Sequence, residues 1–127
     1  MNIAIIGSGL TGSLAALSLA NAGCRVDLYE RLSDDELIDR DRTYAITHSS
    51  RKILENIGVW SHLVSDLIPF QYLNVIDSEI NKKVQFLVDD LRKKDRKYLA
   101  VGWIAEHKII MSTILEFISD IECINKI

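Results

Sequence analysis

An α/β fold in which helices pack on a parallel sheet is what the sequence predicts, and three observations near its start predict it. Ile3-Ala4-Ile5-Ile6 is a continuous apolar run, the pattern of a strand buried on both faces of a parallel sheet. A turn rich in glycine follows, and after it a Leu- and Ala-rich stretch from Ser13 to Ala20 that favours helix. A second strand, Arg25-Val26-Asp27-Leu28-Tyr29, alternates apolar with more polar residues and ends at an acid, Glu30. Strand, glycine turn, helix and strand in this order make a Rossmann-like unit.

The turn is Gly7-Ser8-Gly9-Leu10-Thr11-Gly12, a G-x-G-x-x-G motif. Each glycine has its own mechanical reason. Gly7 permits the tight turn, Gly9 lets the backbone approach a pyrophosphate, and Gly12 lets the helix lie close to the strand. The helix N-terminus then offers unpaired N–H groups and the positive end of its dipole, so phosphate can be held without a lysine. Gly23 closes the helix. Glu30 stands near the spacing of about 20 residues at which a carboxylate accepts hydrogen bonds from adenosine ribose hydroxyls, which favours an unphosphorylated ribose. A motif of this kind alone is weak evidence; with strand, helix and acid in place it predicts dinucleotide binding.

Ser33-Asp34-Asp35-Glu36 is expected to be a solvated acidic loop without chemistry. Arg42-Thr43-Tyr44-Ala45-Ile46 leads to Ser49 and Ser50, expected N-caps of a helix that carries Ile53, Leu54 and Ile57 and stops at Gly58. Trp60 should anchor the following segment. Between Gln71 and Val88, Tyr72–Ile76 and Lys83–Val88 predict two strands of an inserted β-hairpin. The alternating charges from Asp89 to Lys97 predict an exposed loop. Leu99 to Ala105 turns apolar, Glu106-His107-Lys108 opens a helix bearing Ile110, Ile114, Leu115 and Ile118, and Ile121–Asn125 predicts one more strand of the first sheet. That last strand would put Lys126-Ile127 inside a domain, so the fold is expected to be truncated there.

The chain has 127 residues, 48% hydrophobic and 26% charged, a globular composition with room for one domain or part of one. Its formal net charge of −3 gives no reason to expect nucleic acid as a partner. Cys24 and Cys123 lack metal-ligand spacing and suggest buried free thiols in a reducing compartment, with no metal site. The start lacks a secretion signal and no apolar run approaches spanning length, so a cytoplasmic protein is expected, with a peripheral membrane contact left open. His48, His62 and His107 have no Ser, Cys or carboxylate at triad spacing, and each is read as a structural histidine.

The glycine motif ending in Glu30-Arg31, followed by Arg42-x-x-Ala45-Ile46 and by Ile57-Gly58-Val59-Trp60, resembles the aromatic-ring flavoprotein monooxygenases. Within them it looks most like the ubiquinone-biosynthesis hydroxylases. The resemblance implies FAD as cofactor, held by Gly7, Gly9, Leu10, Thr11, Gly12, Glu30 and Arg31 around the motif. It further implies that Arg42 reaches the flavin side of FAD, where a guanidinium meets phosphate or ribityl oxygens. Lys108 takes the place of a cofactor-contacting base, usually Arg, and lacks the forked geometry. The alternative for Arg42 is a surface arginine paired with Asp39 or Asp41. By this resemblance residues 1–127 are the N-terminal part of a FAD-binding domain, and 71–88 begin the sheet that covers a small aromatic substrate.

The implied reaction uses NADH or NADPH and oxygen to hydroxylate an electron-rich, quinone-precursor-like ring, and no residue here is expected to be a catalytic acid, base or nucleophile. Two alternatives remain open. One is an NAD-binding Rossmann dehydrogenase, against which the Arg42 segment and the hairpin argue; the other is a truncated, non-catalytic dinucleotide-binding module. Sheet edges left open would favour self-association.

Overall fold

The computed structural model describes residues 1–127. Strand β1 (Asn2–Ile6) runs parallel to β2 (Arg25–Tyr29), and β2 runs parallel to β8 (Ile124–Lys126), in the order β1-β2-β8. The register sets Ile3 beside Val26 and Ile5 beside Leu28, with Val26 also beside Ile124, so these side chains form one apolar face. Helix α1 (Leu10–Asn21) covers that face through Ala16 and Leu17, both fully buried. Burial of a side chain such as Leu17 is worth about 1.5–3 kcal/mol, more than helix propensity supplies at any one position.

The expectation that β1 is buried on both faces is corrected by the structure. Its residues alternate between half-buried and exposed, and Ile6 is 92% exposed. Helix α1 lies on only one side, and Ala4 and Ile6, beside Asp27 and Tyr29, face outward.

Helix α2 (Asp34–Ile38) occupies the stretch expected to be a loop. Ser33 Oγ accepts the Glu36 N–H while the Glu36 carboxylate accepts the Ser33 N–H, a capping box that offsets the shortness of the helix. Leu37 is buried beneath it.

A second sheet is antiparallel: β3 (Thr43–Thr47), β7 (Gly102–Glu106) and β4 (Ile68–Phe70), in the order β3-β7-β4. Strand β4 was not anticipated, since three residues containing Pro69 give no strand periodicity. A Cβ on Gly102 would lie 2.6 Å from the Phe70 ring and 2.7 Å from the Ile46 carbonyl oxygen, so only glycine lets these strands close up. Helix α3 (His48–Ile57) follows β3 directly, capped by Thr47 rather than by Ser49 or Ser50, and ends at Gly58 with φ +90°. Trp60 in α4 (Trp60–Leu63) is buried edge-on against Trp103, with ring centroids 4.9 Å apart. Helix α5 (His107–Ser119) continues from β7 and buries Ile110, Met111, Ile114, Leu115 and Ile118 between α1 and α2.

The expected hairpin is present as β5 (Tyr72–Asp77) and β6 (Lys82–Leu87), a separate two-stranded sheet whose apolar side chains stay largely exposed. Residues 89–97 are largely exposed, as expected of a solvated loop, with Asp95 the exception. They form short turns, and Asp95 is buried under the side chains of Arg51, Lys52 and Arg92.

Candidate dinucleotide-binding site

The glycine turn joins β1 to α1 at the carboxyl end of the parallel sheet. Gly7 has φ +97°, which a side chain would strain, and its N–H donates to the Tyr29 carbonyl at 2.8 Å. Gly9 is extended and precedes α1, whose N-terminus receives no side-chain cap. Ser13 Oγ donates to the Ser8 carbonyl at 2.8 Å and locks the turn to the first helical turn. A Cβ on Gly12 would lie 1.9 Å from the Gly7 carbonyl oxygen, so any side chain there would push helix from strand. Over Gly9 there is open space, with no atom within 4 Å of where a Cβ would stand. An uncapped, positively polarised helix end facing open space over a bare backbone fits a pyrophosphate.

Glu30 sits where β2 ends and reaches across to this turn. Its Oε2 accepts the Ser8 N–H at 2.8 Å, and its Oε1 accepts the N–H groups of Arg31 at 2.9 Å and Leu32 at 3.1 Å. The Ser8 N–H is the chief reason its carboxyl lies below the usual glutamate pKa, against the opposing effect of burial, with the N–H groups of Leu32 and Arg31 adding to the lowering. A crevice of about 450 Å³ opens beside it, lined by Ile6, Gly7, Tyr29, Glu30, Arg31 and Ile127. The exposure of Ile6 and Tyr29 around this crevice gives it apolar walls beside a carboxylate, the mixture that a purine and a ribose require. At its edge Lys126 pairs with Asp34 of α2. Burial lowers the Lys126 pKa, and the nearby Glu30 charge opposes that shift.

Arg42 and Lys108, 66 residues apart in sequence, share a second cleft of about 280 Å³ with Arg40, Asp41, Thr43, Glu106 and His107. Arg42 ends the loop before β3 and Lys108 is the second residue of α5; the antiparallel register of β3 and β7 brings the two ends together, Thr43 beside Glu106. The expected alternative, Arg42 paired with Asp39 or Asp41, is not what forms. Asp39 Oδ1 instead meets Lys108 Nζ at 3.2 Å, with side chains 81% and 59% exposed, and Arg42 keeps its guanidinium free of ion pairs. So exposed a pair is worth little and yields readily to a phosphate oxygen.

Leu10 ties the start of α1 to α2 and α5. It packs on the small cluster of Leu37, Met111 and Leu115. Its side chain is thus turned to the protein, leaving its backbone and the exposed Thr11 at the open helix end. His107 is buried beneath the second cleft, its Nε2 2.7 Å from the Leu37 carbonyl and its Nδ1 2.9 Å from the Tyr44 hydroxyl. His48 donates from Nε2 to the Ala100 carbonyl at 2.8 Å and accepts from Arg51 Nε at 3.2 Å, while His62 stacks edge-on to Phe117. No cluster of His, Cys, Asp or Glu is placed to hold a metal ion. Sequence reasoning missed Ser8 as the partner of Glu30 and Lys126 as a charge at the crevice edge. No spacing rule flags either, because both depend on which strand ends adjoin.

The glycine turn, the acid at the end of β2 and the basic cleft together define a dinucleotide-binding module. The sequence profile of the FAD binding domain matches residues 1–94, and the chain belongs to that family, with FAD as its cofactor. Kynurenine 3-monooxygenase of Drosophila melanogaster is 36% identical over 86 residues, which cover 65% of this chain and 18% of that protein. The mitochondrial ubiquinone biosynthesis monooxygenase COQ6 of Dictyostelium discoideum is 26% identical over 134 aligned residues, covering 95% of this chain and 27% of its own. The crystal structure of p-nitrophenol 4-monooxygenase PnpA from Pseudomonas putida DLL-E4 superposes with a TM-score of 0.78 at 17% identity, covering 98% of this chain and 31% of that one. The chain therefore spans about a quarter of the length of these relatives, and the resemblance read from the glycine motif, Glu30-Arg31 and Arg42 is borne out at the level of fold, family and cofactor.

Proposed function

We propose that these residues are the FAD-holding part of a flavin-dependent monooxygenase that hydroxylates a small aromatic, quinone-precursor-like substrate with NAD(P)H and oxygen. The observation that carries this reading is the joining of Arg42 and Lys108 in one cleft by the β3–β7 pairing. A plain dinucleotide fold has no need of that antiparallel layer, whereas a cofactor that extends from its adenosine to a flavin needs anchoring groups beyond the glycine turn. The names of the relatives, which act on kynurenine, in ubiquinone biosynthesis and on p-nitrophenol, support an aromatic substrate.

In this reading the backbone of Gly7, Gly9, Leu10, Thr11 and Gly12 holds the pyrophosphate, and Glu30 and Arg31 face the adenosine end. Arg42 and Lys108 neutralise phosphate or ribityl oxygens toward the flavin end. Bound FAD supplies the redox chemistry with oxygen, and the protein's part is to bind, orient and shield. No acid–base residue of this chain is given a catalytic role. Cys24 and Cys123 are free thiols, as suits the cytoplasm, and no helix is long and apolar enough to cross a membrane.

Parallel titrations of the purified protein with FAD and with NAD, followed by flavin fluorescence and thermal shift, test the proposal. FAD-selective binding that weakens in Arg42→Ala supports it. NAD-selective binding would favour a dehydrogenase, and binding of neither would mark a non-catalytic module.

A further inference from the structure

We infer that His107 is a positioning residue that sets the geometry of the Arg42–Lys108 cleft by tying both ends of the Leu37–Tyr44 segment to one buried imidazole. The inference rests on the cofactor role proposed for that cleft. A carbonyl oxygen only accepts, so the 2.7 Å contact with Leu37 requires His107 Nε2 to donate. In the neutral ring Nδ1 then accepts from the Tyr44 hydroxyl at 2.9 Å. The backbone N–H of the same residue donates to the Arg42 carbonyl at 2.8 Å. Three anchor points on one residue therefore bracket the loop that carries Arg42.

That loop has little else to hold it. Apart from the bond from His107 N–H, its backbone between α2 and β3 makes only the local bonds Asp39 N–H to Asp35 O, Arg40 N–H to Ile38 O and Arg42 N–H to Arg40 O, and Asp39, Asp41 and Arg42 are exposed. Lys108 follows His107 at the start of α5 and grips the same loop through Asp39. Displacement of the imidazole would move both cations together. Groups that must meet a ligand are held to within about 0.5 Å by such packed, hydrogen-bonded support. His107 is 2% exposed and forms part of the cleft floor, so it supports the cleft from beneath.

The two tethers can be separated chemically. His107→Gln keeps an amide donor near the Nε2 position for Leu37, whereas His107→Asn is too short to reach it. FAD affinity is read by quenching of flavin fluorescence, with circular dichroism and thermal unfolding of each variant alongside. His107→Asn is expected to weaken FAD binding about tenfold, and His107→Gln to recover most of the loss. In an Arg42→Ala/Lys108→Ala background, His107→Asn should cause no further weakening, a coupling that general destabilisation would not produce.

Equal losses in the two backgrounds, or no loss in the wild-type background, would overturn the inference. If His107→Asn does not fold, Tyr44→Phe removes one tether with the ring intact, and its coupling to Arg42→Ala decides in the same way. Should Arg42→Ala and Lys108→Ala leave FAD affinity unchanged, the cofactor role of the cleft itself fails; retained weakening by those variants with none from His107 would sink the positioning role alone.

Discussion

The Glu30 carboxylate accepts the backbone N–H of Ser8 at 2.8 Å, so the acid at the end of β2 holds the glycine turn that β1 delivers. Its other oxygen holds the turn toward α2 through Arg31 and Leu32. Glu30 is thus an anchor for two turns before any ribose is considered.

Replacing Glu30 by Ala leaves three N–H groups without their acceptor, and hydrogen bonds to a charged group contribute about 1.5–3 kcal/mol each when buried, less where solvent reaches as it does here. The expected outcome is a lower thermal midpoint without ligand as well as weakened FAD binding. Because the folded pKa of Glu30 lies below the unfolded value, its contribution is complete above the ordinary glutamate pKa and is lost as pH falls through the folded one. Urea unfolding of wild type and Glu30→Gln should therefore differ at neutral pH and converge in acid. A pH-independent difference would contradict the anchoring role.

Gly12→Ala is expected to be the most damaging conservative change in the first turn of α1. The added Cβ would sit 1.9 Å from the Gly7 carbonyl oxygen, a backbone atom that cannot rotate away. Overpacking of this kind costs about 1–3 kcal/mol, and here relief means moving the helix N-terminus off the turn. Gly9→Ala meets no atom within 4 Å and should leave unliganded stability nearly unchanged. Thermal unfolding should separate the two variants without ligand, whereas FAD titration should show loss in both.

The parts of the fold legible in the sequence were those with a local mechanical cause. The glycine motif, the alternation of Val26 and Leu28, the stop at Gly58 and the β5–β6 hairpin all carry their reason in neighbouring residues. Ser33-x-x-Glu36 carried a capping box as well, but the acids around it suggested a solvated loop, and a helix resulted. What could not be read locally was decided by distant contacts. Asp95 is buried because Arg51, Lys52 and Arg92 surround it, and Arg42 stays free because Lys108 takes Asp39. The candidate residues were legible singly; the grouping of Arg42 with Lys108 depends on the β3–β7 register, and Leu10 is placed by packing against α2 and α5.

Lys108 holds Asp39 in place of a ligand, so Asp39→Asn should tighten FAD binding by removing a competitor for the ammonium. Both groups are largely exposed, which sets the expected gain at a few-fold, or about 0.2–1 kcal/mol. Lys108→Arg should also tighten it, since a guanidinium meets phosphate oxygens in a fork. Titrations at low and high salt supply the check: the Asp39→Asn advantage should shrink as salt screens the pair. An advantage independent of salt would point to a conformational effect instead.

The hairpin predicts association. Val75 and Val84 pair across β5 and β6 and are 52% and 54% exposed, with Leu73 and Phe86 beside them on the same face. A two-stranded sheet is marginal alone, and its open edges accept further strands. Sedimentation velocity of the purified chain should show species larger than a monomer at high concentration, and Val84→Lys should reduce them. A wild-type monomer at all concentrations would contradict the expectation.

Arg51 should matter more to stability than its helical neighbour Lys52, although both meet Asp95. Arg51 is 2% exposed, donates to Asp95 at 2.9 Å and to Tyr98 Oη at 2.7 Å, and lies over the Tyr98 ring with its guanidinium carbon 4.0 Å from the centroid. Lys52 is half-buried and meets Asp95 at 3.4 Å. Removal of Arg51 leaves a buried carboxylate short of its closest charge, which costs more than losing a partly solvated lysine. Burial pushes the Asp95 carboxyl up, but the charge and hydrogen bond of Lys52 and the charge of Arg92 outweigh it, so its pKa stays below the ordinary aspartate value. Its stabilising effect is then present above that value and fades as pH falls through the lowered one. Urea midpoints should rank Arg51→Met below Lys52→Met at neutral pH, with the gap closing in acid. Equal midpoints at neutral pH would show that Asp95 is held by the sum of its partners rather than chiefly by Arg51.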